Sequence, residues 1–206
     1  MYNHILDPSG DVIFTLEKPN APFAIWNGIS NNSNPSKEQP AVIHKPVTFL
    51  VSSRHLSLAS PMLEVALTGG WKETIARETD SLHEISTEGW DVQAMVITMS
   101  IIHHKWSQVP QKVDLELLAK IAVIVDYYQM YETVQLIGML WVERLRARPP
   151  DSYGRELMLW MCVSLVLRDN GVFRHSTKVA IRHCPGDLET LELPISSAVV
   201  GKFPFT

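Results

Sequence analysis

Cysteine is scarce: Cys162 and Cys184 are the only two in 206 residues, far apart and without a C-x-x-C spacing. That excludes a disulfide-stapled scaffold and a four-cysteine zinc site, and it fits a reducing compartment. An excess of charge of one sign is missing too. Eighteen Lys and Arg against 22 Asp and Glu give a net charge of −4, so no basic field exists to hold a polyanion and nucleic acid is not an expected partner. Long apolar runs are absent. The longest, Met95 to Met99 and Leu157 to Val163, fall far below the ~18 residues a membrane span requires, so no membrane contact is expected. The opening MYNHILDPSGDVIF lacks a basic stretch followed by an apolar core. No signal peptide is read there, and an intracellular location, cytoplasmic or nuclear, is the expectation.

Gly and Pro number 10 and 13, which is close to average usage and excludes collagen-like and low-complexity architectures. The motifs of common enzymes are missing as well. A strained G-x-S-x-G elbow that would expose a serine nucleophile does not occur, nor do the Gly-rich phosphate cradles G-x-x-x-x-G-K-[ST] and G-x-G-x-x-G. His175, His183 and Cys184 form the one tight group of metal-type ligands, but zinc wants four donors in two close pairs. No metal, no cofactor and no catalytic residue is therefore expected. Arg144, Arg146 and Arg148 suggest either a phosphate patch or, more simply, cations at the last carbonyls of a helix. His103-His104 read as surface residues at a helix end.

What the chain does have is a globular composition, 46% hydrophobic, with periodic segments. Val12, Phe14 and Leu16 alternate with Ile13, Thr15 and Glu17 after the turn Asp7-Pro8-Ser9-Gly10, and Val47, Phe49 and Val51 repeat the pattern. Between them, residues 19–46 are rich in Pro and Asn and read as a flexible insertion. Within it Phe23, Ile25 and Trp26 read as a clip onto the strand surface or as a partner-binding peptide. Short helices follow over Ser52 to Ser60 and from Ser60-Pro61 to Gly69-Gly70. A third strand is expected at Leu82 to Ile85. Asp91 caps a helix with the stripe Val92, Met95, Val96, Met99 and Ile102. Asp114 starts another in which Leu118, Ile121 and Val125 should be fully buried, because its other faces are apolar too. Helices over Val134 to Leu145, Arg155 to Arg168 and Ser176 to His183 complete the pattern, and Leu193 to Thr206 reads as a frayed tail.

The stretch Val51 to Leu67, VSSRHLSLASPMLEVAL, resembles the signature helical hairpin of the BTB/POZ domain. The whole chain is most similar to the fungal BTB-domain-containing proteins, through DPSGDVIF (Asp7 to Phe14), LASPM (Leu58 to Met62), GGWKE (Gly69 to Glu73), the run from Val109 to Val134 and LPISSAVV (Leu193 to Val200). It departs from many animal members in having Ser52-Ser53 where they carry His followed by Lys or Arg, and Ser100-Ile101-Ile102-His103 where they carry a Phe-Ile-Tyr run. The resemblance implies an α+β BTB/POZ fold. That fold is a small three-stranded sheet with a helical hairpin and a cluster of α-helices over 1–148, followed by a C-terminal helical extension and tail over 149–206.

The resemblance also implies a protein-interaction module, a scaffold or adaptor that self-associates as a homodimer and recruits a partner. The alternatives are a transcription-associated regulator and a ubiquitin-ligase substrate adaptor. The implied self-association face comprises Val12, Phe14, Arg54, His55 and Leu58. Cullin-binding members resemble one another in an acidic motif after the central helix. The corresponding loop here, HHKWSQVPQK from His103 to Lys112, contains no Asp or Glu. Direct cullin affinity is therefore expected to be weaker than micromolar, and Trp106 is the candidate anchor for a different partner, or else folds back on the domain.

Overall fold

The computed structural model describes residues 2–26, 45–68, 82–145 and 149–196. It is an α+β arrangement of four strands and seven α-helices among those residues. The strands are His4–Ile5 (β1), Val12–Glu17 (β2), Val47–Val51 (β3) and His83–Glu88 (β4). The helices are Ser53–Ala59 (α1), Pro61–Thr68 (α2), Val92–Ile102 (α3), Leu115–Tyr127 (α4), Tyr131–Leu145 (α5), Arg155–Val166 (α6) and Asn170–His183 (α7).

The sheet has the order β1-β3-β2-β4, with β2 and β3 antiparallel and both outer strands parallel to their neighbours. It thus holds one strand more than expected. β1 is two residues long, too short for an alternating pattern to show, and it pairs His4 with Phe49 and Ile5 with Leu50. The turn before β2 requires a glycine: a Cβ on Gly10 would lie 2.6 Å from the backbone oxygen of Val51. β4 runs to Glu88 rather than ending at Ile85 because its polar half belongs to an outer strand, with Glu84, Ser86 and Glu88 exposed and the residues between them half-buried.

Asp91 and Asp114 cap α3 and α4 by accepting from Ala94 N–H at 3.0 Å and Leu117 N–H at 2.8 Å. Leu118, Ile121 and Val125 are buried. α6 is more enclosed still, with every residue from Leu157 to Ser164 buried. It packs between α4 and α7, so the C-terminal helices share one continuous apolar core with the sheet and hairpin. A charged chain reinforces the joint. Lys120 bridges Asp91 at 3.0 Å and Glu116 at 3.1 Å, and Arg155 of α6 reaches Glu116 at 2.9 Å.

Four expectations are corrected. Residues 19–26 are not a loose start to the insertion. Asn20 N–H donates to Trp90 O at 2.9 Å, Ala21 N–H to Gly89 O at 3.1 Å, and Arg155 donates to the carbonyls of Phe23 and Ala24. The clip lies on α4 and the C-terminal helices rather than on the strand surface: Lys120 sits over the Phe23 ring, and Trp26 packs edge-on against Tyr153 at 5.3 Å. The final helix begins six residues early, at Asn170, because Asp169 accepts from Gly171 and Val172 N–H at 3.0 Å and offsets the poor propensity of that glycine. The tail is anchored at its start, where Leu193 and Ile195 are buried. The rest of the insertion (27–44), the GGWKE segment, Arg146, Arg148 and residues 197–206 lie outside the described residues.

Candidate interaction surface

The start of α1 is held from outside its own sequence. Ser52 occupies the N-cap position but its side chain makes no capping bond. Instead Asp11, at the foot of β2, accepts from Ser53 N–H at 2.7 Å and from Ser53 Oγ at 2.6 Å. Burial works against ionisation of the Asp11 carboxyl, but the Ser53 hydrogen bonds and nearby His83 outweigh it and hold the group below its usual range. The N–H of Ser52 donates to His103 Nε2 at 3.1 Å.

His103 is therefore not a surface residue: it is 6% exposed. Its Nδ1 lies 2.9 Å from Met99 O. A carbonyl can only accept and an amide N–H can only donate, so the two partners assign the ring as the neutral Nδ1–H tautomer. The ring joins the C-terminus of α3 to the N-terminus of α1. Burial holds its pKa below the ordinary value of 6.5, against the upward pull of the Met99 carbonyl. With both nitrogens committed to backbone groups, it has no free lone pair to move a substrate proton.

An aromatic row leads outward from His103. His55 stacks on it with centroids 5.0 Å apart, His104 meets His55 at 6.2 Å, and Trp106 meets His104 edge-on at 6.3 Å. Trp106 is half-exposed, in a single 3-10 turn over Trp106–Gln108. Its loop is braced from α5, where Trp141 Nε1–H donates to Pro110 O and Arg144 to Gln111 O, both at 2.8 Å. Arg144 thus reaches a loop carbonyl rather than the last carbonyls of its own helix.

The structure joins most of the sequence-derived residues and removes two. Arg54 and Leu58 are exposed on α1, Leu58 at 88%, and His55 connects them to Trp106. His55, on the same helix as Arg54 and Leu58, thus links the face expected for self-association to the loop expected for a partner. Val12 and Phe14 are fully buried. The alternation of β2 turns them into the chain's own core, where Phe14 packs against Phe49 and Tyr128, so they offer no side chain to a second copy. Ile5 of β1, on the outer strand beside β3, is by contrast 55% exposed.

Other exposed apolar residues were not singled out by the sequence reading. Leu136, Met139 and Leu140 line the outer face of α5, and Met62, Val65 and Tyr127 flank β4. The available signal was surplus: α5 carries apolar residues on more faces than one core contact can use. Among the described residues no three His, Cys, Asp or Glu groups converge as metal ligands, and no helix is long and apolar enough to cross a membrane. No protein-family model and no curated protein matches this chain.

Proposed function

We propose that the chain is a protein-interaction module of the BTB/POZ type that self-associates through α1 and the β1 edge and recruits a protein partner beside that face. The resemblance of residues 51–67 to the family's hairpin supports this reading. The observation that carries it is Leu58, 88% exposed on α1. Ile5 pairs with Leu50 just before β3 passes into α1, so a second exposed apolar residue stands near the start of that helix. Burying a leucine is worth roughly 1.5–3 kcal/mol, and a two-fold contact counts each residue twice. Such a contact needs about 800 Å² per partner to be stable, which the row through Trp106 helps to supply.

The cullin-adaptor reading is not favoured. The loop from His103 to Lys112 presents Trp106 without a carboxylate, so a partner here is recognised by aromatic contact. Light scattering on the purified chain tests the proposal: the expected mass at tens of micromolar is twice 23.3 kDa. Leu58→Asp should return it to the monomer with its circular dichroism unchanged. A monomeric wild-type chain at that concentration overturns the self-association.

A further inference from the structure

A second surface, on the opposite edge of the sheet from β1, has the features of a strand-binding groove. In the parallel pair of β4 with β2, His83 N–H donates to Asp11 O and Gly89 N–H to Glu17 O. Backbone groups alternate sides along a strand, so those of residues 83, 85, 87 and 89 face β2, and those of Glu84, Ser86 and Glu88 face away from it. Among the described residues, no strand pairs with that side of β4, which ends the sheet. An open row of alternating donors and acceptors is met in full only by another extended chain.

The row borders a cavity of about 490 Å³, walled by Met62, Val65 and Ala66 of α2 on one side and by Tyr127 and Tyr128 on the other. Met62, Val65 and Tyr127 are 40%, 58% and 51% exposed, so the walls are apolar surface left in water. No Lys or Arg lines the cavity. The charges around it are acidic: Glu84 and Glu64 make no ion pair among the described residues, and Glu88 has only an exposed contact with Lys18.

We infer that the β4 edge binds an extended peptide segment of a partner protein by strand addition, with apolar side chains seated against α2 and Tyr127 and a Lys or Arg flanking them. The backbone row dictates that the occupant is a strand, the walls dictate alternate apolar residues, and the carboxylates of Glu64, Glu84 and Glu88 favour the basic flank. This does not depend on self-association, which uses the other edge.

The test uses the full chain, labelled for NMR, and a blocked heptapeptide of alternating valine and threonine with a lysine at each end. In the free protein the amides of Glu84, Ser86 and Glu88 should exchange rapidly with solvent, and peptide should slow them at least tenfold while His83 is unchanged. Ser86→Pro removes an outward N–H that the fold does not use, and proline is tolerated on an edge strand. It should weaken the peptide at least tenfold. Val65→Glu, on the exposed face of α2, gives an independent loss from the apolar wall without touching the strand. A heptapeptide ending in glutamates should bind at least tenfold more weakly. The proposal is overturned if the three amides are already protected in the free protein, which would mean that the chain or a second copy covers the edge. It is equally overturned if both variants bind as wild type, or if no exchange change appears up to millimolar peptide.

Discussion

Replacing His103 by leucine should destabilise the protein by about 1–2 kcal/mol at pH 7.5 and remove a specific part of its acid sensitivity. The magnitude follows from the two contacts of the ring. Losing Nε2 leaves Ser52 N–H without an acceptor in a half-buried position, worth about 1 kcal/mol, with up to ~3 for a fully buried donor. Losing Nδ1–H costs less, because Met99 O still accepts the backbone N–H of residue 103 at 3.1 Å. The pH dependence has a defined sign. The folded-state pKa lies below 6.5 and the unfolded value is about 6.5. Between the two, the unfolded chain binds the extra proton, so the His103 contribution is fully present above pH ~6.5 and is lost as pH falls toward the folded value. The slope is at most about 1.4 kcal/mol per pH unit. His4, whose pKa burial also lowers, contributes in the same window, so the observable is the difference between wild type and variant. Urea titrations from pH 7.5 to 5.5 should show that gap narrowing with acid. A constant gap would refute the neutral assignment, and a widening one would show that the ring is charged in the fold.

Two further outcomes test the core and the external cap. Leu118→Ala should cost roughly 2–5 kcal/mol in a denaturant titration, the usual range for a fully buried leucine; a loss under about 0.5 kcal/mol would be inconsistent with its enclosure beneath α6. Asp11→Ala should cost about 0.5–2 kcal/mol by uncapping α1. Because the Asp11 carboxyl titrates below its ordinary value, its contribution is present above the unfolded pKa near 4 and disappears as pH falls through the folded one. The stability difference between wild type and Asp11→Ala should therefore be flat above pH 5 and shrink below it.

Much of the fold was legible in the sequence because local chemistry and burial agree there. Asp91 and Asp114 announce α3 and α4, and the alternation of Val12, Phe14 and Leu16 announces β2. What local pattern could not give was anything fixed by a distant partner. The two-residue β1 exists through its register with Phe49 and Leu50, and α1 is capped by residues 42 and 51 positions away in the chain. His103 looked like a surface residue for the same reason, since its partners lie on two different helices. The candidate face was half legible. Leu58 and Arg54 sit on the open side of α1, but the apolar alternation that brought Val12 and Phe14 to attention is the pattern of an inward-facing strand.

The enclosure of α6 bears on where this chain can be cut or fused. A cut after residue 148 would strip α4 of the helix that covers it and free the carbonyls of Phe23 and Ala24 from Arg155. The helices after residue 148 are thus no optional appendage: they supply an inner wall of the core that the sheet and hairpin share. A recombination event, or an engineer building a fusion, would have to carry the chain at least through Ile195, the last buried one of the described residues. The C-terminal helices travel with the sheet.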